Sequence, residues 1–166
     1  MVLLFMKIGL ISDTFIPDKV DKLPLEVFKL FEDVELIIHA GNLTSLDVKY
    51  DLEKIAPVLI VQGERDREYG NDFPESIVKT IEGVKIGVKH GEVNPKGDTQ
   101  QLYYIAKELD VDVLISGHTH QPLIEEMGEV ILLNPGSPTA PIFSEATVMI
   151  LSLENGKISV DVKKIN

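Results

Sequence analysis

The sequence predicts an α/β fold, with a parallel sheet early in the chain and antiparallel strands at its end. Three observations predict it. Short continuous apolar runs alternate with helically spaced apolar residues over the first 63 residues. Later strand runs follow one another closely, and Asn155-Gly156 is a strong hairpin turn. The length of 166 residues and an apolar content of 44% suit one domain with a sizeable core.

Lys7 to Ser12 (KIGLIS) is a continuous apolar run, as in a strand buried on both faces. Leu23, Val27, Leu30 and Phe31 then recur at helical spacing, with Pro24 suited to a first turn. Glu35 to Ala40 is a second buried strand. Val48, Leu52 and Ile55 mark a second amphipathic helix, and Pro57 to Gln62 a third strand. This β-α-β-α-β order implies parallel strands joined by right-handed crossovers. Ser76 to Ile81 and Val84 to Lys89 flank Glu82-Gly83 as a hairpin. Asp98 to Asp110 is a helix, with Asp98 as cap, Gln101 completing a capping box, and Leu102, Ile105, Ala106 and Leu109 as its buried stripe. Val111 to Ser116 is a further buried strand. Strands follow around Leu123, at Val130 to Leu133, at Ala146 to Leu153 and at Lys157 to Ile165. One domain over residues 1–166 is expected, with residues 1–5 an upstream extension or a strand overhang.

Lys and Arg total 16 against 27 Asp and Glu, a formal charge of −11. A polyanion of this kind is a poor general partner for nucleic acid, and no basic run offsets it. The same charge suits a site that holds cations. With no cysteine, disulfides, thiolate metal sites and thiol nucleophiles are excluded. No stretch approaches the roughly 20 apolar residues of a membrane helix, and the opening residues do not form a secretory signal. A cytoplasmic protein is expected.

Unusual polar residues collect where strands end. Asp13 follows the first strand, Asn42 the second, and Glu64 and Asp66 the third. His90 follows the later hairpin, and His118 and His120 the next strand. In α/β sheets these ends converge on the binding crevice. Singly, each residue has an ordinary reading: an Asp starts a turn, a His satisfies hydrogen bonds, and Asn42 completes turn chemistry after Gly41. Together, imidazoles, carboxylates and an amide at one rim suit Mn, Fe, Zn or Ni rather than calcium. His39 lies within an apolar strand and reads as structural. His118-x-His120 in extended structure would put both rings on one side. In a loop leaving a strand, the pair would straddle two metals roughly 3.5–4 Å apart, the spacing at which such sites clamp phosphate esters.

Ser12-Asp13-Thr14, Gly41-Asn42, Gly63-Glu64-Arg65-Asp66, His90-Gly91, Gly117-His118-Thr119-His120 and Asn134-Pro135-Gly136-Ser137 occur in the order of the calcineurin-like metallophosphoesterases. From Lys7 to about Leu151 the chain resembles the small single-domain phosphodiesterases of that family, and also the small retromer subunit, a protein-binding relative. The resemblance implies a four-layer α/β/β/α sandwich with mixed sheets. It also implies two metal positions: one from Asp13, position 15, Asn42 and His120, the other from Asn42, Glu64, His90 and His118.

Four positions depart from the family pattern. Phe15 replaces a histidine, Asn42 a bridging aspartate, Glu64 an asparagine, and Arg65 a histidine that acts as general acid in many members. The carboxylate count is unchanged, because Glu64 compensates for Asn42. The expectation is one well-held metal at His90, His118, Glu64 and Asn42, with the other weaker or absent. One reading is a metal-dependent phosphoesterase acting on a phosphate ester, with Arg65 as a phosphate clamp and Asp66 orienting Arg65 or a ligand histidine. The ordinary reading of Arg65 is a surface ion pair with Asp66 or Glu68. The alternative function is a scaffold with a structural metal, its site face covered by a protein partner; the run Asp110 to Gln121 resembles the retromer subunit closely.

Overall fold

The computed structural model describes residues 5–166. Ten strands form two five-stranded mixed sheets. The first contains β1 (Phe5–Ile11), β2 (Leu36–His39), β3 (Val58–Ile60), β9 (Thr147–Glu154) and β10 (Lys157–Lys164) in the order β10-β9-β1-β2-β3. Here β1, β2 and β3 are parallel, β9 pairs antiparallel with β1, and β10 pairs antiparallel with β9 at the edge. The second contains β4 (Ser76–Ile81), β5 (Val84–Lys89), β6 (Val113–Ile115), β7 (Pro122–Met127) and β8 (Val130–Pro135) in the order β4-β5-β6-β8-β7. Its centre, β5-β6-β8, is parallel, with an antiparallel strand on each edge. Residues 1–4 of the expected extension lie outside the described residues. Phe5 opens β1 and pairs with Glu154.

Alternation along the strands builds the layers. Ile8, Leu10, Leu36, Ile38, Met149 and Leu151 face Ile86, Val88, Val113 and Ile115 across the space between the sheets. The outer face of the first sheet, with Ile11, Ile37, Val148 and Ile150, packs against α1 (Leu25–Leu30) and α2 (Leu46–Glu53) through Val27, Phe31, Val48 and Leu52. The outer face of the second, with Leu114, Val130 and Leu132, packs against α4 (Thr99–Leu109) through Leu102 and Ala106. This is the four-layer α/β/β/α arrangement that the family resemblance implies. Gly9 lets the helix layer approach the sheet: a Cβ there would lie 2.9 Å from the Phe31 ring. Among the described residues no helix is long and apolar enough to cross a membrane.

Two details differ from expectation. Asp98 caps α4 by accepting from the N–H groups of Gln100 and Gln101 at 2.9 and 3.2 Å. The Gln101 side chain, however, donates to the Asn94 carbonyl, so the reciprocal half of a capping box is not made. A short helix, α3 (Glu64–Glu68), follows β3, where no helical pattern is legible.

The layering makes Phe31 far more costly to truncate than the equally large Phe143, which is 97% exposed. Phe31→Ala should cost about 3–5 kcal/mol in urea unfolding, and Phe143→Ala no more than about 0.5 kcal/mol. Equal costs would contradict this packing.

Candidate metal centre

The residues singled out at the strand ends meet at one rim. Asp13 follows β1, Asn42 β2, Glu64 β3, His90 β5, and His118 and His120 β6. Asp13, Phe15, Asn42, Thr44, His118 and His120 all have left-handed backbone, with φ between 45° and 77°. Such non-glycine conformations cost of order 1–3 kcal/mol each and persist where surroundings over-determine them. Two glycines make room for the ligands. A Cβ at Gly117 would lie 2.0 Å from Ser12 Oγ, and one at Gly63 2.2 Å from Asn42 Oδ1.

Glu64, His90 and His118 converge. Each offers a ligand atom within 4.8 Å of the others. His90 Nε2 lies 3.0 Å from Glu64 Oε2, and His118 Nδ1 3.4 Å from Glu64 Oε1. Neither contact is a formed hydrogen bond: Glu64 Oε2 and His118 Nδ1 are buried without a hydrogen-bond partner. Two orphaned buried polar atoms facing one point are costly alone and fit a cation. His90 is prepared for that role. Its Nδ1 lies 2.6 Å from the Ala40 carbonyl, to which it donates, leaving Nε2 directed at the site. Burial opposes charge on His90, but the contact with Glu64 and the charge of Asp13 prevail and raise its pKa to about 9. Burial likewise opposes ionisation of Glu64, yet His118 and His90 hold its carboxyl well below the usual carboxylate range. Metal binding there must displace the His90 proton.

Asp13, Asn42 and His120 form the other half. Asp13 is fully buried; Oδ2 accepts from the Ser12 hydroxyl at 2.7 Å and from the His118 backbone N–H at 3.0 Å. Its Oδ1 lies 3.6 Å from His120 Nε2. His120 Nδ1 donates to the Ala140 carbonyl at 2.7 Å, so its Nε2 also faces inward. The Phe15 ring sits 5.1 Å from the His120 ring, centroid to centroid, and contributes no ligand atom. The His118-x-His120 segment is not extended, since both residues have positive φ. The same-side argument therefore fails, and the two rings address different carboxylates, Glu64 and Asp13.

The side chains of Asp66 and Arg65 engage partners other than those the sequence suggests. Asp66 is fully buried and accepts from the backbone N–H groups of Asn42, Gly63 and Thr44 at 2.8–2.9 Å, and from the Asn71 side chain at 3.3 Å. These contacts orient the loop after β2, not Arg65 or a ligand histidine. The Arg65 guanidinium turns outward to Asp18 at 2.8 Å and to Glu68. That matches the ordinary ion-pair reading for Glu68 and replaces Asp66 with Asp18. Its backbone N–H, not its side chain, reaches the site, donating to Asn42 Oδ1 at 3.0 Å.

Other supporting residues carried no chemical signal of their own. Asn134 donates to the Gly117 carbonyl and to Thr119 Oγ1, fixing the loop that bears both histidines. Ser137 Oγ donates to the Asp13 carbonyl at 2.7 Å. Their trace in the sequence is the Asn134-Pro135-Gly136-Ser137 block. His39 accepts from the Gly41 N–H through Nδ1 at 3.2 Å and faces the Thr14 hydroxyl through Nε2 at 3.1 Å, a structural arrangement.

Burial holds the His39 pKa down to about 4, against the pull of Asp66 and Asp13. The folded value lies below the unfolded value of 6.5. As pH falls from 6.5 toward 4, the unfolded chain therefore takes up a proton that the folded chain refuses, and stability declines across that window. Imidazole NMR should show His39 neutral, with its proton on Nε2, down to about pH 4. Titration near 6.5 would contradict the assignment.

The sequence model of the calcineurin-like phosphoesterase superfamily domain matches residues 6–156. The chain is 53% identical over 157 residues to a protein of Methanothermobacter thermautotrophicus named "probable metallophosphoesterase", an alignment covering 95% of this chain and 91% of that one. The structure of vacuolar protein sorting 29 from Cryptosporidium parvum is similar, with TM-score 0.82 and 28% identity over 98% of this chain and 99% of that one. So is that of an archaeal phosphodiesterase, with TM-score 0.74 and 27% identity over 96% and 100% of the two chains. On the family match, which spans nearly all of the sequence, this chain belongs to the calcineurin-like phosphoesterase superfamily.

Proposed function

We propose that this protein is a metal-dependent phosphoesterase acting on phosphodiesters, with one divalent ion held by Glu64, His90 and His118 and a weaker position beside Asp13 and His120. The observation that supports it most is the convergence of three ligand atoms, two of them buried without a hydrogen-bond partner. Likeness to a solved archaeal phosphodiesterase supports the substrate class. An ion held there supplies Lewis acidity to a phosphoryl oxygen and makes water a stronger nucleophile.

The chain's own residues do the rest. His90 and Asp13 are shut away from solvent, whereas the Glu64 side chain is 40% and that of His118 18% exposed, so substrate approaches over Glu64 and His118. The carbonyls of Ala40 and Ala140 hold His90 and His120 in the tautomer that turns Nε2 inward. Phe15 covers one side of His120 and excludes water there. A cavity of about 290 Å³ beside His120, lined by Lys19, Thr139, Ala140, Pro141 and Ile142, receives one arm of the ester. Because Arg65 is engaged by Asp18 and Glu68, the phosphate contact is assigned instead to Lys19, which lines the cavity beside His120.

A second reading is a scaffold with a structural metal. It is supported by the likeness to vacuolar protein sorting 29 and by Phe143, which stands 97% exposed on the loop that also supplies the Ala140 carbonyl.

Metal-stripped protein titrated with Mn²⁺ should hydrolyse a chromogenic phosphodiester. His118→Ala should weaken metal binding by more than the roughly 10–100-fold that outer-shell partners cost, and should abolish turnover. Bound metal without turnover above this control would reject the enzyme in favour of the scaffold.

A further inference from the structure

The Asn42 side chain has one acceptor and two donors, and its surroundings determine which way round it sits. Its Oδ1 accepts the Arg65 backbone N–H at 3.0 Å. Its Nδ2 faces the site, 3.1 Å from Asp13 Oδ1, 3.2 Å from Glu64 Oε1 and 3.1 Å from His90 Nε2. Turning the amide over would set its oxygen against two carboxylates and its NH₂ against the Arg65 N–H, leaving like groups facing on both sides. Asn42 cannot swing away either. Its backbone N–H is held by Asp66, and Oδ1 lies over Gly63, where no Cβ intervenes.

The hydrogen count gives the arrangement its meaning. Of the three atoms facing Nδ2, the carboxylate oxygens Asp13 Oδ1 and Glu64 Oε1 accept one amide hydrogen each, and His90 Nε2 is left over. With an ion on His90 Nε2, Glu64 Oε2 and His118 Nδ1, the acceptors left to the amide are Asp13 Oδ1 and Glu64 Oε1, one for each hydrogen. The two atoms without partners, Glu64 Oε2 and His118 Nδ1, are satisfied in the same step. The other half keeps only Asp13 Oδ1 and His120 Nε2, since Phe15 offers no ligand, and two atoms are too few to hold a second ion firmly.

We infer that Asn42 is a hydrogen-bond donor at the centre and not a metal ligand, so that a single ion is held and the amide N–H groups take the place of a second. This rests on the metal-site reading above and narrows it: the position that resembles a metal bridge acts instead as a neutral link between Asp13 and Glu64.

The test uses the full chain, stripped of metal, loaded with Zn²⁺ and dialysed. Elemental analysis should find one zinc per chain. Proton NMR should show the Asn42 NH₂ pair exchanging slowly with solvent and giving no cross-relaxation to the Arg65 backbone N–H. Two zincs per chain, or strong cross-relaxation between these groups, would show the amide turned with its oxygen on the metal and would overturn the inference. Retention of no zinc would overturn the metal-site reading itself. Neither measurement involves a substrate, so failure of hydrolysis alone leaves the inference standing.

Discussion

The Asp66 carboxylate accepts N–H groups from Asn42, Thr44 and Gly63 and the side-chain amide of Asn71. It thereby pins the loop after β2 to the start of α3, and the candidate centre depends on that junction. Thr44 is held in left-handed backbone that a β-branched residue does not adopt freely, two residues after Asn42, which tolerates it. Glu64 is delivered to the rim at the first position of α3. All its partners are N–H donors, so both buried carboxyl oxygens find hydrogen bonds within the fold. Asp13 plays the matching part on the other side. It receives the Ser12 hydroxyl and the His118 N–H, and so joins β1 of one sheet to the loop after β6 of the other. The site is the seam between two sheets, closed by two carboxylates.

The strands were legible because burial on both faces leaves a plain mark, a continuous apolar run such as KIGLIS or ELIIHA. The converging polar residues were legible because each stands directly after such a run. The four layers came from family resemblance; the apolar runs alone do not say that two sheets stack. Helix α3 was not legible. Its five residues, ERDRE, carry no apolar periodicity, and its first turn is fixed by Asp66 folding back to Gly63. Local spacing pairs Arg65 with neighbours in sequence, but one of its partners, Asp18, lies 47 residues away. The Gln101 side chain was expected at the helix cap and found a loop carbonyl instead. These misses share a cause: tertiary contacts chose among partners that local spacing left equivalent.

The departures from the family pattern are physically connected. Phe15 removes a ligand beside His120, Asn42 presents donors where a carboxylate would bridge, and Glu64 restores the carboxylate on the side where His90 and His118 converge. On the proposed reading, cation-holding capacity is thereby concentrated in one half of the centre. The net charge of −11 suits a cation-binding protein and disfavours nucleic acid as a general partner.

The most direct measurement is anomalous X-ray diffraction from crystals of the protein soaked with Mn²⁺. The account predicts one strong peak among Glu64, His90 and His118, with none of comparable strength between Asp13 and His120. A peak at Asp13 and His120 alone, or two of equal strength bridged by Asn42, would contradict it.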